Sequence, residues 1–129
     1  MTSAIDTLTV DCVDTGVVGR FWATALGWAV VDESGTDLEI ADPRGADRPI
    51  LFQVVPEPKT AKNRWHLDLR PATSMSDEVA RLVDAGASVL GRIDDDENFW
   101  TVLRDPEDNE FCVLRGPDDG WSPEERGST

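Results

Sequence analysis

Residues 5–31, IDTLTVDCVDTGVVGRFWATALGWAVV, decide the fold. Over residues 5–12, apolar Leu8, Val10 and Cys12 alternate imperfectly with polar Asp6, Thr7, Thr9 and Asp11, which predicts a half-buried strand. The period then changes. Val18, Phe21, Trp22 and Ala25 fall at i, i+3, i+4 and i+7, so one stripe of a helix packs on a sheet. Asp14 or Thr15 can accept the first free amides, and Gly27 stops the helix. Trp28 to Val31 resumes strand character.

Two more strands follow, Asp37 to Ala41 and Ile50 to Val55, set apart by Ser34-Gly35 and Asp42-Pro43-Arg44-Gly45. The order is β, α, β, β, β. Residues 56–63, PEPKTAKN, carry two prolines and few apolar groups and read as an exposed connection. The order then repeats. Trp65 to Leu69 is a strand, Ser74 or Ser76 caps a helix bearing Val79, Leu82 and Val83, and Gly86 ends it. Ala87 to Ile93, Phe99 to Arg104 and Glu110 to Leu114 are three further strands.

One offset of 59 residues relates Gly27 to Gly86, Phe52 to Phe111 and the starts of the two halves, as a duplication requires. The helix stripes match better at 61 and the Asp-Pro turns at 63, so small length changes sit inside each half. The expected organisation is one domain over residues 1–118, with modules at about 4–57 and 63–116. A tail follows at 119–129, either disordered or docked through Trp121.

Composition narrows the function classes. At 129 residues with 40% hydrophobic content the chain supports one compact core. No apolar run approaches a bilayer span and the N-terminus lacks a signal-peptide pattern, so a cytoplasmic location is expected. Cys12 and Cys112 are expected to be thiols, Cys12 in the core. A formal charge of -14 repels phosphate backbones and anionic lipid, which argues against nucleic acid or a membrane as partner and favours cationic ligands. No phosphate loop, nucleophile elbow, paired-cysteine motif or zinc-protease motif is present.

The stretch from about residue 5 to 115 resembles the glyoxalase-like and bleomycin-resistance branch of the vicinal oxygen chelate superfamily. The resemblance is carried by Asp14 after the first strand, Phe21-Trp22 where the family usually has Phe-Tyr, and Leu26-Gly27. It is also carried by Asp105-Pro106-Glu107-Asp108-Asn109, similar to the family's Asp-Pro-Asp-Gly-Asn turn with Asp108 in place of glycine. The resemblance implies an α+β fold in which two βαβββ modules form a curled eight-stranded mixed sheet around a cavity. It does not imply a particular reaction. Family habit also implies a homodimer.

In metal-dependent relatives, four side chains on cavity-facing strands hold a divalent ion. The family's spacing places these positions at Thr7, Gln53, His66 and Cys112, and the internal offset of 59 agrees. Thr7 and Gln53 are poor donors and His66 is the sole histidine, so the usual ligand set looks dismantled and no cofactor is predicted. Two alternatives stand. His66, Glu110 and Cys112, with Gln53, offer a soft ion such as zinc an unconventional set. Without metal, His66 offers general acid or base chemistry tuned by Asp68 on the same strand face. The blander expectation makes His66 a cavity-lining, hydrogen-bonded side chain, Asp68 a partner of Arg70 or Arg104, and Cys112 an inert small hydrophobe.

Five tryptophans and no tyrosine suit planar or cationic ligands. Trp22 belongs to the helix stripe, and Trp65 should point toward the helix layer. Trp28 and Trp100 are the candidates for a cavity wall. The leading expectation is a binder of a small, cationic or aromatic organic molecule, with Thr7, Gln53, His66, Asp68, Trp100, Glu110 and Cys112 as candidate contacts. Its rivals are a metal-dependent lyase, isomerase or dioxygenase and a dimerising interaction module.

Overall fold

The computed structural model describes residues 1–128, with side chains through Glu125. The chain divides into two compact units, Met1–Thr60 and Ala61–Thr129. The first contains β1 (Leu8–Cys12), α1 (Thr15–Leu26), β2 (Ala29–Asp32), β3 (Leu38–Ala41) and β4 (Ile50–Val54). The second contains β5 (Asp68–Leu69), α2 (Met75–Ala85), β6 (Ser88–Asp95), β7 (Asn98–Arg104) and β8 (Glu110–Leu114). Short 3₁₀ helices follow at Pro117–Asp119 and Pro123–Ser128.

Both sheets have the same topology, β1-β4-β3-β2 and β5-β8-β7-β6. The first and last strands of each unit pair in parallel and the remaining neighbours pair antiparallel. A parallel pair cannot be closed by a tight turn, so the connection runs through the helix and two strands.

Both helices begin and end where the sequence puts them. The Asp14 carboxylate accepts the amide of Val17 at 3.1 Å, and the Ser74 hydroxyl accepts that of Asp77 at the same distance. Each cap satisfies an amide the helix cannot, a contribution of about 1 kcal/mol. Gly27 closes α1 in the left-handed region at φ 69°, with Trp28 N donating to the carbonyl of Ala23.

The inward stripe of α1, Val18, Phe21, Trp22 and Ala25, is buried, as are Cys12, Leu38, Ile40, Ile50 and Phe52 of its sheet. Gly19 permits close packing: a Cβ there would lie 2.5 Å from Leu38 Cδ2. The second core is smaller, with Met75, Leu82 and Ala87 buried alongside Leu103, Phe111 and Val113.

The largest departure from the sequence reading lies at β5. A strand over Trp65 to Leu69 is expected, yet only Asp68 and Leu69 join the ladder. Trp65 is 88% exposed rather than packed toward the helix layer. Alternation alone cannot distinguish a paired strand from an extended segment that lacks a partner.

Candidate functional site

Strand register fixes which side chains share a face. In the second sheet Phe111 and Val113 of β8 and Thr101 and Leu103 of β7 are buried on the α2 side, where the Thr101 hydroxyl donates to Met75 Sδ at 3.4 Å. Cβ alternation therefore turns Glu110, Cys112, Val102 and Trp100 to the opposite face. Asp68 pairs directly with Cys112, Val102 with Cys112, and Trp100 with Leu114.

On that face three groups converge. His66 Nδ1 lies 3.0 Å from Asp68 Oδ1, and donor atoms of His66, Asp68 and Cys112 all fall within 4.8 Å of one another. An ionised carboxylate only accepts, so a neutral His66 must carry its proton on Nδ1 and present Nε2 as the free acceptor. Asp68 also accepts from the Cys112 thiol. Burial, followed by the Asp68 charge and this hydrogen bond, pushes the Cys112 thiol up to about 11, opposed by nearby Lys62. A thiol held protonated at neutral pH is a donor and a poor nucleophile. The expected partners of Asp68, Arg70 and Arg104, are replaced by His66 and Cys112.

The other sequence candidates lie outside this three-residue cluster. Glu110 is buried, and Asn63 holds it from both sides. Asn63 N donates to Glu110 Oε1 (3.2 Å), Glu110 N to Asn63 Oδ1 (2.9 Å), and Asn63 Nδ2 to the Glu110 carbonyl (3.2 Å). Asn63 Nδ2 also reaches the Trp65 carbonyl. Asn63 thus stands in for missing strand backbone, a role that its place in a proline-containing connection gives no sign of. Trp100 is half-buried on the site's face.

Thr7 and Gln53 belong to the first unit. Thr7 precedes β1 and its hydroxyl donates to Asp6 at 2.7 Å, while Gln53 is exposed and pairs with Asp11. Since Asp11 pairs with Gln53 as Asp68 pairs with Cys112, the first-unit equivalent of His66 is Thr9 rather than Thr7. The two-residue difference has a simple origin. Three positions separate Asp11 from the helix cap Asp14 and six separate Asp68 from Ser74, while α2 is one residue shorter than α1, which leaves a net difference of two when counted back from Gly27 and Gly86. On the same face of the first sheet, Asp32, Asp37, Glu39 and Leu51 line an open, acidic depression of about 330 Å³.

A divalent ion of the kind the fold family implies finds partial support in these donors. Imidazole, thiolate and carboxylate are zinc ligands, and three protein ligands plus an open position suffice for a catalytic zinc. The corresponding first-unit residues, Thr9, Asp11 and Gln53, supply one carboxylate and no nitrogen or sulfur donor, so the first unit repeats no such set.

No helix among the described residues is long and apolar enough to cross a membrane. Among curated proteins none gives a significant match. Solved structures with the same fold include a glyoxalase/bleomycin resistance protein/dioxygenase family enzyme from Burkholderia phytofirmans PsJN. It is 17% identical with TM-score 0.69, and the match covers 84% of this chain and 95% of that one. A genomically encoded fosfomycin resistance protein from Listeria monocytogenes is 13% identical with TM-score 0.71, covering 98% and 99%. A glyoxalase-related enzyme from Fulvimarina pelagi is 16% identical with TM-score 0.67, covering 90% of each chain. At these identities the likeness shows the fold alone. The sequence model of the glyoxalase-like domain matches residues 7–114, and with the paired βαβββ units this makes the chain a member of the glyoxalase-like domain family of vicinal oxygen chelate proteins.

Proposed function

We propose that this protein binds a small organic molecule against the helix-free face of its second sheet. His66 Nε2 is the polar contact, and Val102 and Trp100, which share that face on β7, are the apolar ones. The observation that carries this reading is the Asp68-centred cluster: one carboxylate fixes both the tautomer of His66 and the proton of Cys112, leaving a single oriented acceptor beside apolar surface. The chain's charge of -14 favours a cationic aromatic ligand over an anionic one. Relatives named for bleomycin or fosfomycin resistance support a small organic molecule as the ligand class.

One observation favours a second reading. His66, Asp68 and Cys112 match the donor chemistry of a three-ligand zinc site, in which zinc would supply Lewis acidity toward a bound oxygen. Binding there would require loss of the thiol proton and replacement of the Nδ1 to Asp68 hydrogen bond, unless His66 ligated through Nε2.

A thermal-shift series separates the two. Planar aromatic cations and their neutral counterparts are offered to chelator-treated protein at low and high salt, in wild type and His66→Ala. Binding without metal predicts stabilisation by the cations that weakens with salt and falls in His66→Ala. The zinc reading predicts stoichiometric zinc in protein purified without chelator, lost in Cys112→Ser. Absence of any ligand-induced shift, with or without added zinc, defeats both.

A further inference from the structure

β5 contributes two residues to its ladder, whereas β1 contributes five. So short an edge strand is not held by its own hydrogen bonds. Upstream, the carbonyl of Leu67 accepts from Cys112 N at 2.9 Å, and Asn63 clips onto Glu110. Downstream, the connection to α2 is three residues longer than its counterpart, and it is here that the chain returns after β8.

A series of contacts fastens that return. Gly116 lies against Thr73 so closely that a Cβ would sit 2.0 Å from the Thr73 carbonyl oxygen, which also accepts from Asp118 N at 3.1 Å. Asp119 Oδ2 accepts from Met75 N at 2.7 Å and from Gly116 N at 2.9 Å, tying the strap to the start of α2. Arg70 Cζ stacks 4.0 Å from the Trp121 ring centroid while its Nη1 donates to the Arg115 carbonyl at 2.7 Å. Glu125 pairs with Arg115.

We propose that Gly116–Glu125 is a strap and that Trp121 and Arg70 are positioning residues, setting His66 and Asp68 against Cys112. Asp68 lies two residues upstream of Arg70, so the clasp on Arg70 determines whether the Asp68 carboxylate reaches both partners. It rests on the assignment of these three side chains as the site, but its test needs no ligand. The experiment uses the full chain and the variants Trp121→Ala, Trp121→Phe and Glu125→Ala. Two signals are read: the rate of Cys112 modification by a thiol reagent, assigned by mass spectrometry, and the ¹⁵N resonances of the chain's single imidazole. Trp121→Ala is expected to accelerate Cys112 modification about tenfold and shift His66 Nδ1 away from its hydrogen-bonded position, with Trp121→Phe restoring both. Glu125→Ala removes one anchor without disturbing the stack, and about a two- to threefold acceleration is expected. Should Trp121→Ala fail to fold, Glu125→Ala decides alone. Unchanged rates and resonances in the folded variants overturn the proposal, as does equal acceleration at Cys112 and the core thiol Cys12, which would mean general loosening.

Discussion

The two units share topology and strand pairing but spend their polar residues differently. At the register position where the first sheet sets Asp11 beside Gln53, both open to solvent, the second sets Asp68 beside a buried Cys112 and adds His66 two residues earlier. The first unit's β1 is long and its helix cap follows after three residues. The second unit's β5 is short, and clips from Asn63 and Arg70 replace the missing ladder. A repeated fold thus keeps the packing and frees the sheet face to diverge, and the His66, Asp68 and Cys112 cluster lies in the unit whose first strand is least self-supporting.

If packing is the shared element, its loss should cost both units alike. Phe52 and Phe111 are related by the 59-residue offset and are 0% and 1% exposed. Truncation of either to Ala should cost about 3–5 kcal/mol, through lost burial and the cavity left behind, as measured by urea denaturation. A loss below about 1 kcal/mol at one of them would break the equivalence.

The difference between the faces should show in alkaline solution. The Cys112 thiol is raised in the folded state, so the stability tied to its proton is fully present below the ordinary thiol range near 9 and is lost as pH rises toward about 11. Denaturation midpoints of the wild type should therefore fall across that window, and Cys112→Ala should flatten the fall. A Gln53→Ala variant should retain the wild-type slope. An equally flat profile in wild type would place Cys112 in a wetter environment than its 8% exposure indicates.

Asp68→Asn sharpens the same contrast at a single charge. Removing the carboxylate eliminates the Coulombic part of the Cys112 shift, so the thiol should titrate lower while burial keeps it above its ordinary value. The matching Asp11→Asn change should leave thiol titration untouched. A shift of Cys112 in both variants would show that long-range charge, rather than the direct contact, controls the thiol.

Residues that signal through local backbone chemistry were legible in the sequence. Asp14, Gly27, Ser74 and Gly86 bound the helices because caps and left-handed stops act within one turn, and Phe52 and Phe111 marked the repeat because burial fixes their strand parity. His66 and Cys112 were legible as individual candidates through the family resemblance and the 59-residue offset, and Asp68 because it shares a strand face with His66. What alternation cannot encode is whether a segment finds a partner, and so Trp65 was expected inside; Thr7 was placed two residues from the register position held by Thr9 because a single offset hides unequal strand-to-helix connections. Asn63 and the strap from Gly116 act across 40 residues or more, where a single sequence has no period to reveal them.

The smallest effect tests the comparison at the hairpin turns. Asp42-Pro43-Arg44-Gly45 and Asp105-Pro106-Glu107-Asp108 close alike. The buried Asp42 carboxylate accepts from Arg44 N at 2.9 Å, which holds it below its ordinary range, and Asp105 accepts from Glu107 N at 2.9 Å. The fourth residue of each turn has φ 70°, but it is glycine in the first unit and aspartate in the second. A side chain in that region crowds the following carbonyl, at about 1 kcal/mol, eased for aspartate by its short polar group. Asp108→Gly should therefore raise stability by up to about 1 kcal/mol and Gly45→Asp should lower it by a similar amount, read as opposite shifts in urea midpoint. If the turns are truly equivalent, the double exchange returns the protein to its original stability; a net loss would mean that the Asp108 side chain makes a contribution its exposed position in the hairpin does not account for.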